Sequence, residues 1–196
     1  GSTSAVFCFL ASNEIPQETR NAMENIVKES VEWHNYGYPA NTIFFPFLVA
    51  LQKPQMRELY KDINSNIRGQ LRRNSSVAYG NSNTRIYHML DISETLLTSD
   101  KLNEKDKIMV MLFAATCSEL ELTVWEMMQQ GKSPALIKTN ELTNCLLIDM
   151  GLSPRDPKDE AVIAAMSKQQ KNEKVQDAAR KIENFFRAIG VEVNDL

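Results

Sequence analysis

The sequence has few of the features that identify an enzyme or a metalloprotein. Its 196 residues include only 2 histidines, 3 cysteines, 7 glycines and 7 prolines. It contains no phosphate-binding loop, dinucleotide-binding glycine motif or serine-hydrolase motif, and neither histidine belongs to an HxxxH or HExxH pattern. We therefore predict no catalytic residue, no metal site and no cofactor, and we expect a protein that is not an enzyme.

The cysteines and the apolar segments exclude two further classes. Cys8, Cys117 and Cys145 are odd in number and show no CxxC spacing, which argues against a disulfide scaffold and favours a reducing compartment. No apolar run approaches the roughly 20 residues that a membrane-spanning helix needs. We expect an intracellular protein, cytoplasmic rather than nuclear, with no membrane partner.

The scarcity of glycine and proline, together with apolar residues at helical spacing, predicts an all-α fold. About eight helices are expected, in a compact bundle or in two small lobes, with an extended N-terminal arm. The predicted organisation is an arm at residues 1–15, an N-terminal helical lobe at 16–100 and a C-terminal helical lobe at 101–196, built around a buried central helix.

Proline and capping residues predict several helix boundaries. A helix is expected to begin near Pro46 rather than to run through it. One long helix is expected from Asn103 to Gln130, with an apolar middle and with Gly131 at its C-terminal cap. After Asp156 the helical spacing continues to Gly190, as one helix or as two with a break near residues 171–172.

The net charge of -3 excludes a polybasic protein that binds nucleic acid through bulk charge, but it conceals a block pattern. Residues 53–88 carry 7 basic and 2 acidic groups, a local charge of +5. Residues 89–160 carry 7 basic and 13 acidic groups, a local charge of -6. The positive block is the most informative feature of the sequence.

Most of these cations recur at helical spacing after Pro54. Arg57, Lys61, Arg68 and Arg72, together with Asn64, occupy an arc of about 80° on a helix. The centre of this arc lies over 90° away from that of an apolar set formed by Met56, Leu59, Tyr60, Ile63 and Ile67. Arginine grips phosphate bidentately, and a row of cations on a helix matches the phosphates of a nucleic-acid strand. We define the basic stripe as the predicted binding residues Lys53, Arg57, Lys61, Arg68, Arg72, Arg73 and Arg85.

Tyrosines in the same segment suggest how bases would be held. Tyr60, Tyr79 and Tyr87 are candidates for stacking on unpaired bases, which favours RNA over DNA as the partner. The alternative is that they are core or rim residues. The cations likewise have an alternative interpretation. They are either the solvent-exposed residues beside the apolar face of an amphipathic helix, or ion-pair partners of the acidic block, within the chain or on a second copy.

Two functions compete at this point. The first is a helical protein that binds RNA and self-associates like a nucleoprotein or coat protein, with opposite charge blocks joining copies into a homo-oligomer. The second is a protein–protein adaptor or effector without a nucleic-acid role. Its partner groove would use exposed apolar residues, namely Phe44, Phe45, Trp125, Met127 and Met128.

Overall fold

The computed structural model describes residues 40–74 and 83–196, with the backbone alone at 40–45, 63, 70–74 and 83–86. These residues form helices and contain no strand, which confirms the all-α prediction. The predicted arm at 1–15 lies outside the described residues. The α-helices are α1 (Ala40–Gln52), α2 (Arg57–Asn74), α3 (Asn83–Thr98), α4 (Glu104–Thr116), α5 (Glu119–Gln129), α6 (Thr139–Asp149), α7 (Pro157–Ala164) and α8 (Lys168–Ile189).

Contacts between residues divide the chain into two units, with the division between Ala115 and Thr116. In the first unit α1 packs against α2 and α3, which also contact each other. In the second unit α5 packs against α6 and α8, and α6 packs against α7. The sequence-based prediction places the boundary between residues 100 and 101 instead. In the structure, nearly all of α4 groups with the first unit, and α5 is the buried helix of the second.

The first helix contradicts one boundary prediction. Pro46 lies inside α1, which begins six residues earlier at Ala40. An interior proline costs about 3 kcal/mol, because one backbone hydrogen bond is lost and the ring crowds the preceding turn. Immediately after it, the five residues of 47–51 are all at most 9% exposed. Burial of large apolar side chains contributes about 1.5–3 kcal/mol each, which offsets the cost of the proline.

The predicted helix from Asn103 to Gln130 is also wrong, because the chain breaks at 117–118. Ser118 has extended backbone angles, and its side chain accepts a hydrogen bond from the Glu121 backbone N–H at 3.2 Å. Asp149, at the end of α6, accepts from the backbone N–H groups of Glu119 and Leu120 at 2.7 and 3.2 Å. Three of the four N-terminal donors of α5 are thus satisfied, and a separate helix begins there.

The last two helices separate at Ser167, earlier than the predicted position near 171–172. The Ser167 hydroxyl accepts from the Gln170 backbone N–H at 3.1 Å, and the Gln170 side chain accepts from the Ser167 N–H at 2.9 Å. This reciprocal capping box begins α8. At the other end Gly190 adopts φ 72°, a left-handed conformation that glycine accepts without strain, and it ends the helix as predicted.

The core of the second unit centres on an aromatic pair. Trp125 on α5 is 1% exposed, and its ring meets that of Phe186 on α8 edge to face at a centroid distance of 5.4 Å. The prediction that Trp125 lines an exposed partner groove is therefore wrong, because helix packing covers the indole. Met127 and Met128 are half-buried, and the side chains of Phe44 and Phe45 lie outside the described residues.

Replacing the cap of α8 tests the boundary at Ser167. In Ser167→Ala the N–H of Gln170 loses its side-chain acceptor, and we expect the free energy of unfolding to fall by about 1 kcal/mol. Urea denaturation followed by far-ultraviolet circular dichroism measures the change. Ser167→Asp is the matched control, since aspartate caps as well as serine does. Equal loss in both variants would contradict the capping role.

Candidate functional site

The basic stripe begins at a tight turn between α1 and α2. Lys53 is followed by a short 3-10 helix, Pro54–Met56, whose proline supplies the fixed φ that suits a helix start. Arg57 begins α2, and Lys53 and Arg57 are both half-buried. The turn therefore presents two cations of the stripe at the N-terminal end of α2.

The other members differ strongly in exposure. The side chain of Lys61 is 65% exposed, whereas that of Arg68 is 22% exposed. Arg72 lies on α2 and Arg85 on α3, with Arg73 beside Arg72, and the side chains of these three lie outside the described residues. The structure thus brings Lys53, Arg57, Lys61 and Arg68 along one helix and its preceding turn.

Arg68 is not a free cation, because it pairs with the neighbouring helix. Its Nη2 lies 2.6 Å from Asp91 Oδ1 and 3.6 Å from Glu94 Oε2, both on α3. Charge-assisted hydrogen bonds of this kind are stronger than neutral ones. For Arg68, the ion-paired alternative is the observed arrangement.

Asn64 and Tyr60 continue the same contact toward the interior. Asn64, which the sequence places within the arc of the stripe, is 2% exposed and donates from Nδ2 to Glu94 Oε1 at 2.8 Å. The Tyr60 hydroxyl is hydrogen-bonded to Ser93 Oγ. Because the Ser93 hydroxyl donates to the Leu90 carbonyl at 2.8 Å, it accepts from Tyr60. We call this contact the polar seam, comprising Tyr60, Asn64 and Arg68 of α2 with Asp91, Ser93 and Glu94 of α3.

Burial of Tyr60 excludes it from base stacking. The residue is 2% exposed, so its ring has no face available to a base, and burial raises the pKa of its hydroxyl. Tyr79 lies outside the described residues, and Tyr87 on α3 is half-buried. The prediction of a stacking role is wrong for Tyr60, and the core alternative is correct there.

The apolar face of α2 also differs from its prediction at one position. Tyr60 and Ile67 are buried as expected, but Leu59 is 48% exposed. The buried face is rotated toward Asn64, so Arg57 and Arg68 lie on its margin rather than opposite it. Lys61 is the described cation of α2 that points farthest into solvent.

Lys61 has one neighbour on its own helix. Its Nζ lies 3.2 Å from Glu58 Oε1, whose side chain is 84% exposed. Exposed pairs of this spacing contribute less than about 0.5 kcal/mol. A polyanion would therefore displace Glu58 at little cost.

The α2 side of the polar seam is recognisable in the sequence from the spacing of its residues, although not from the composition. Tyr60, Asn64 and Arg68 lie four residues apart, so they share one edge of α2. A polar row at this spacing, ending in arginine, indicates a partner helix with carboxylates. The sequence does not specify which acidic residues lie opposite, because that depends on how α3 packs.

The described residues hold no group of three or more histidine, cysteine, aspartate or glutamate side chains suited to a metal. Within that same part of the chain, none of the helices is long and apolar enough to cross a membrane.

Cys117 and Cys145 are buried thiols. The Thr123 hydroxyl donates to the Glu119 carbonyl and lies 3.3 Å from Cys145 Sγ, so the Cys145 thiol donates to Thr123. Burial raises the pKa of the Cys145 thiol to about 12. Cys145 is therefore a structural rather than a reactive thiol.

The second unit contains a groove of about 780 Å³ beside α8. One wall comes from residues 133–142 and the other from residues 166–183, most of which belong to α8. The groove mixes apolar side chains such as Leu142 and Val175 with charged ones such as Lys171 and Glu183. Its lining residues belong to the second unit, whereas the residues of the basic stripe belong to the first.

Comparison with known proteins does not add a function to this geometry. The chain matches no protein-family model, no curated protein and no solved structure. The assignment of function therefore depends on the residues themselves.

A double-mutant cycle tests the buried end of the polar seam. Ser93→Ala leaves the Tyr60 hydroxyl with its hydrogen-bond acceptor removed, and we expect a loss of about 1–3 kcal/mol in the free energy of unfolding. Tyr60→Phe is expected to cost about 1 kcal/mol. The double variant should lose clearly less than the sum, since no hydroxyl is left unsatisfied. Chemical denaturation measures all four proteins, and strictly additive losses would show that the two hydroxyls do not interact.

Proposed function

We propose that this chain is a non-enzymatic protein that binds nucleic acid, RNA in preference to DNA, and self-associates like a nucleoprotein or coat protein. The observation that carries the proposal is the row of cations along α2. Arg57, Lys61 and Arg68 fall within an arc of about 40° and span about 16 Å of the helix axis. A helix that packs against α1 and α3 holds this row rigid.

The members of the stripe take different roles in this proposal. Lys61 is exposed, and Glu58 is its one ion-pair partner among the described residues, so it contacts phosphate directly. Arg68 is held by Asp91 and Glu94 and acts as a positioning residue that fixes α2 against α3. Arg57 and Lys53 extend the phosphate-binding surface at the turn, and Arg72, Arg73 and Arg85 extend it at the other end of α2.

Self-association is proposed on the basis of the charge blocks. The block at 53–88 has a charge of +5 and that at 89–160 has -6, so one copy attracts the opposite block of another. Part of this attraction is satisfied within the chain, at the Arg68 ion pairs. A contact between different surfaces joins copies into rings or filaments. The buried thiols of Cys117 and Cys145 support an intracellular location, where such thiols stay reduced.

Charge reversal at Lys61 tests RNA binding without disturbing the polar seam. In Lys61→Glu one phosphate contact is lost, so we expect weaker binding and a slope of log affinity against log salt that is smaller by about 0.7. Glu58→Lys removes the carboxylate that competes for Lys61 and should tighten binding. Fluorescence anisotropy of a labelled single-stranded RNA at several salt concentrations measures both effects, with the matched DNA as comparison.

The control is Lys174→Glu, which makes the same change of net charge at an exposed position on α8, in the other unit. It should bind RNA like the wild type. If the wild type does not bind RNA, or if Lys61→Glu and Lys174→Glu weaken binding equally, the stripe is not the binding surface.

Sedimentation velocity tests the assembly. The monomer has a mass of 22.3 kDa. We expect larger species whose population rises with protein concentration and falls with added salt, since charge blocks hold them together. A single monomeric species at every concentration, with and without RNA, would contradict self-association.

The groove of the second unit favours a second candidate function, that of a protein–protein adaptor. Its mixed lining of apolar and charged side chains is typical of surfaces that hold a peptide or helix. If the protein neither binds RNA nor self-associates, the adaptor function is favoured.

A further inference from the structure

Two cations lie in the first unit without a partner among the described residues. Lys107 on α4 is 8% exposed, and no described group forms a hydrogen bond or ion pair with its ammonium group. The Nε of Arg57, at the start of α2, is buried and has no acceptor within the described part of the chain. Buried charges are normally paired, so two such groups in one unit are suited to an anionic ligand.

A hydrogen bond between the end of α1 and the start of α4 lies close in sequence to both cations. Gln52 Nε2, in the last residue of α1, donates to Glu104 Oε1 in the first residue of α4 at 3.4 Å. Arg57 follows Gln52 by five residues through the tight turn at Pro54–Met56, and Lys107 follows Glu104 by one helical turn. The positive charge of Arg57 adds to burial in lowering the pKa of Lys107, as expected for neighbouring cations.

The carboxylates in this region do not neutralise the pair. Asp100 and Glu104 are exposed, and their charges act on Lys107 from beyond ion-pair distance, without a direct contact. The N-terminus of α4 adds further positive potential close to Lys107. An anion that enters here gains two cations and displaces no described carboxylate.

We propose that Arg57 and Lys107 form a binding site for a phosphate oxyanion. The chemistry of the two side chains fits this ligand. The Nε–H of arginine forms, with one Nη–H, a fork that donates to two oxygens of one phosphate, and the lysine ammonium donates to a third. A phosphate with two negative charges balances the two cations. A free phosphate group and a phosphate of a nucleic-acid strand share this chemistry, and the site does not depend on the rest of the basic stripe.

Phosphorus NMR and thermal unfolding test the site with inorganic phosphate as the probe. We expect phosphate, at ionic strength matched with sodium chloride, to show a broadened resonance with the wild type and to raise its melting temperature in a saturable manner. Lys107→Met should abolish the broadening and the saturable shift. In chloride the same variant should melt no lower than the wild type, because it removes an unpaired buried charge.

Lys105→Met is the matched control, since Lys105 is exposed on the same helix, and it should respond to phosphate like the wild type. Arg57→Met is the second variant and should also lose the response. The proposal is overturned if phosphate affects the wild type and Lys107→Met equally, since such a shift reflects the general effect of phosphate on proteins. A wild type that leaves the phosphate resonance unchanged overturns it as well.

Two further arms identify the source of the phosphate and separate this proposal from RNA binding. An oligonucleotide with a 5′-phosphate that binds more tightly than its 5′-hydroxyl form, with the difference lost in Lys107→Met, assigns the site to a strand end. Equal binding of the two forms, with the response to inorganic phosphate retained, assigns it to a free phosphate. Phosphate binding that persists in a protein unable to bind RNA supports the site and overturns only the proposed function.

Discussion

The arrangement of the first unit depends on how Arg68 is held between Asp91 and Glu94. The three charges lie on two adjacent helices, and the guanidinium is mostly covered by their contact. With Arg68 held in place, the helical period sets the direction of every other side chain on α2. Asn64 and Tyr60, one and two turns earlier, face α3, and Lys61 faces solvent.

This constraint separates the cations of the chain by their surroundings rather than by their sequence positions. Arg68 contributes to packing, because its charge is matched at short distance by carboxylates of another helix. Lys61 contributes little to stability, because its pair with Glu58 is exposed to water. Lys107 is 8% exposed and forms no ion pair with a described carboxylate, which is a costly situation for a charge. Basic side chains thus take a structural or a surface role according to burial, and the binding role proposed for Lys107 follows from its burial as well.

Apolar periodicity and capping residues explain why the presence of the helices was predictable from the sequence and why several of their boundaries were not. The periodic apolar positions identify the helices, and Gly190 ends α8 where expected. The breaks at Ser118 and Ser167 follow serine-x-x-acid or serine-x-x-glutamine patterns that are readable in the sequence but are weaker than the apolar periodicity running through them. Pro46 shows the opposite case, in which burial of the residues that follow outweighs a strong local breaker.

The sequence by itself determined the all-α class, the placement of most helices and the concentration of positive charge on α2, because helical period, capping and composition are local properties. The tertiary structure decided which of those charges are available. Pairing of Arg68 with α3, burial of Tyr60 and Trp125, and burial of Lys107 without an ion pair to a described carboxylate all depend on contacts between residues far apart in the chain. Local pattern does not specify such contacts, since many acidic residues are equally suited to face a given cation until packing selects one.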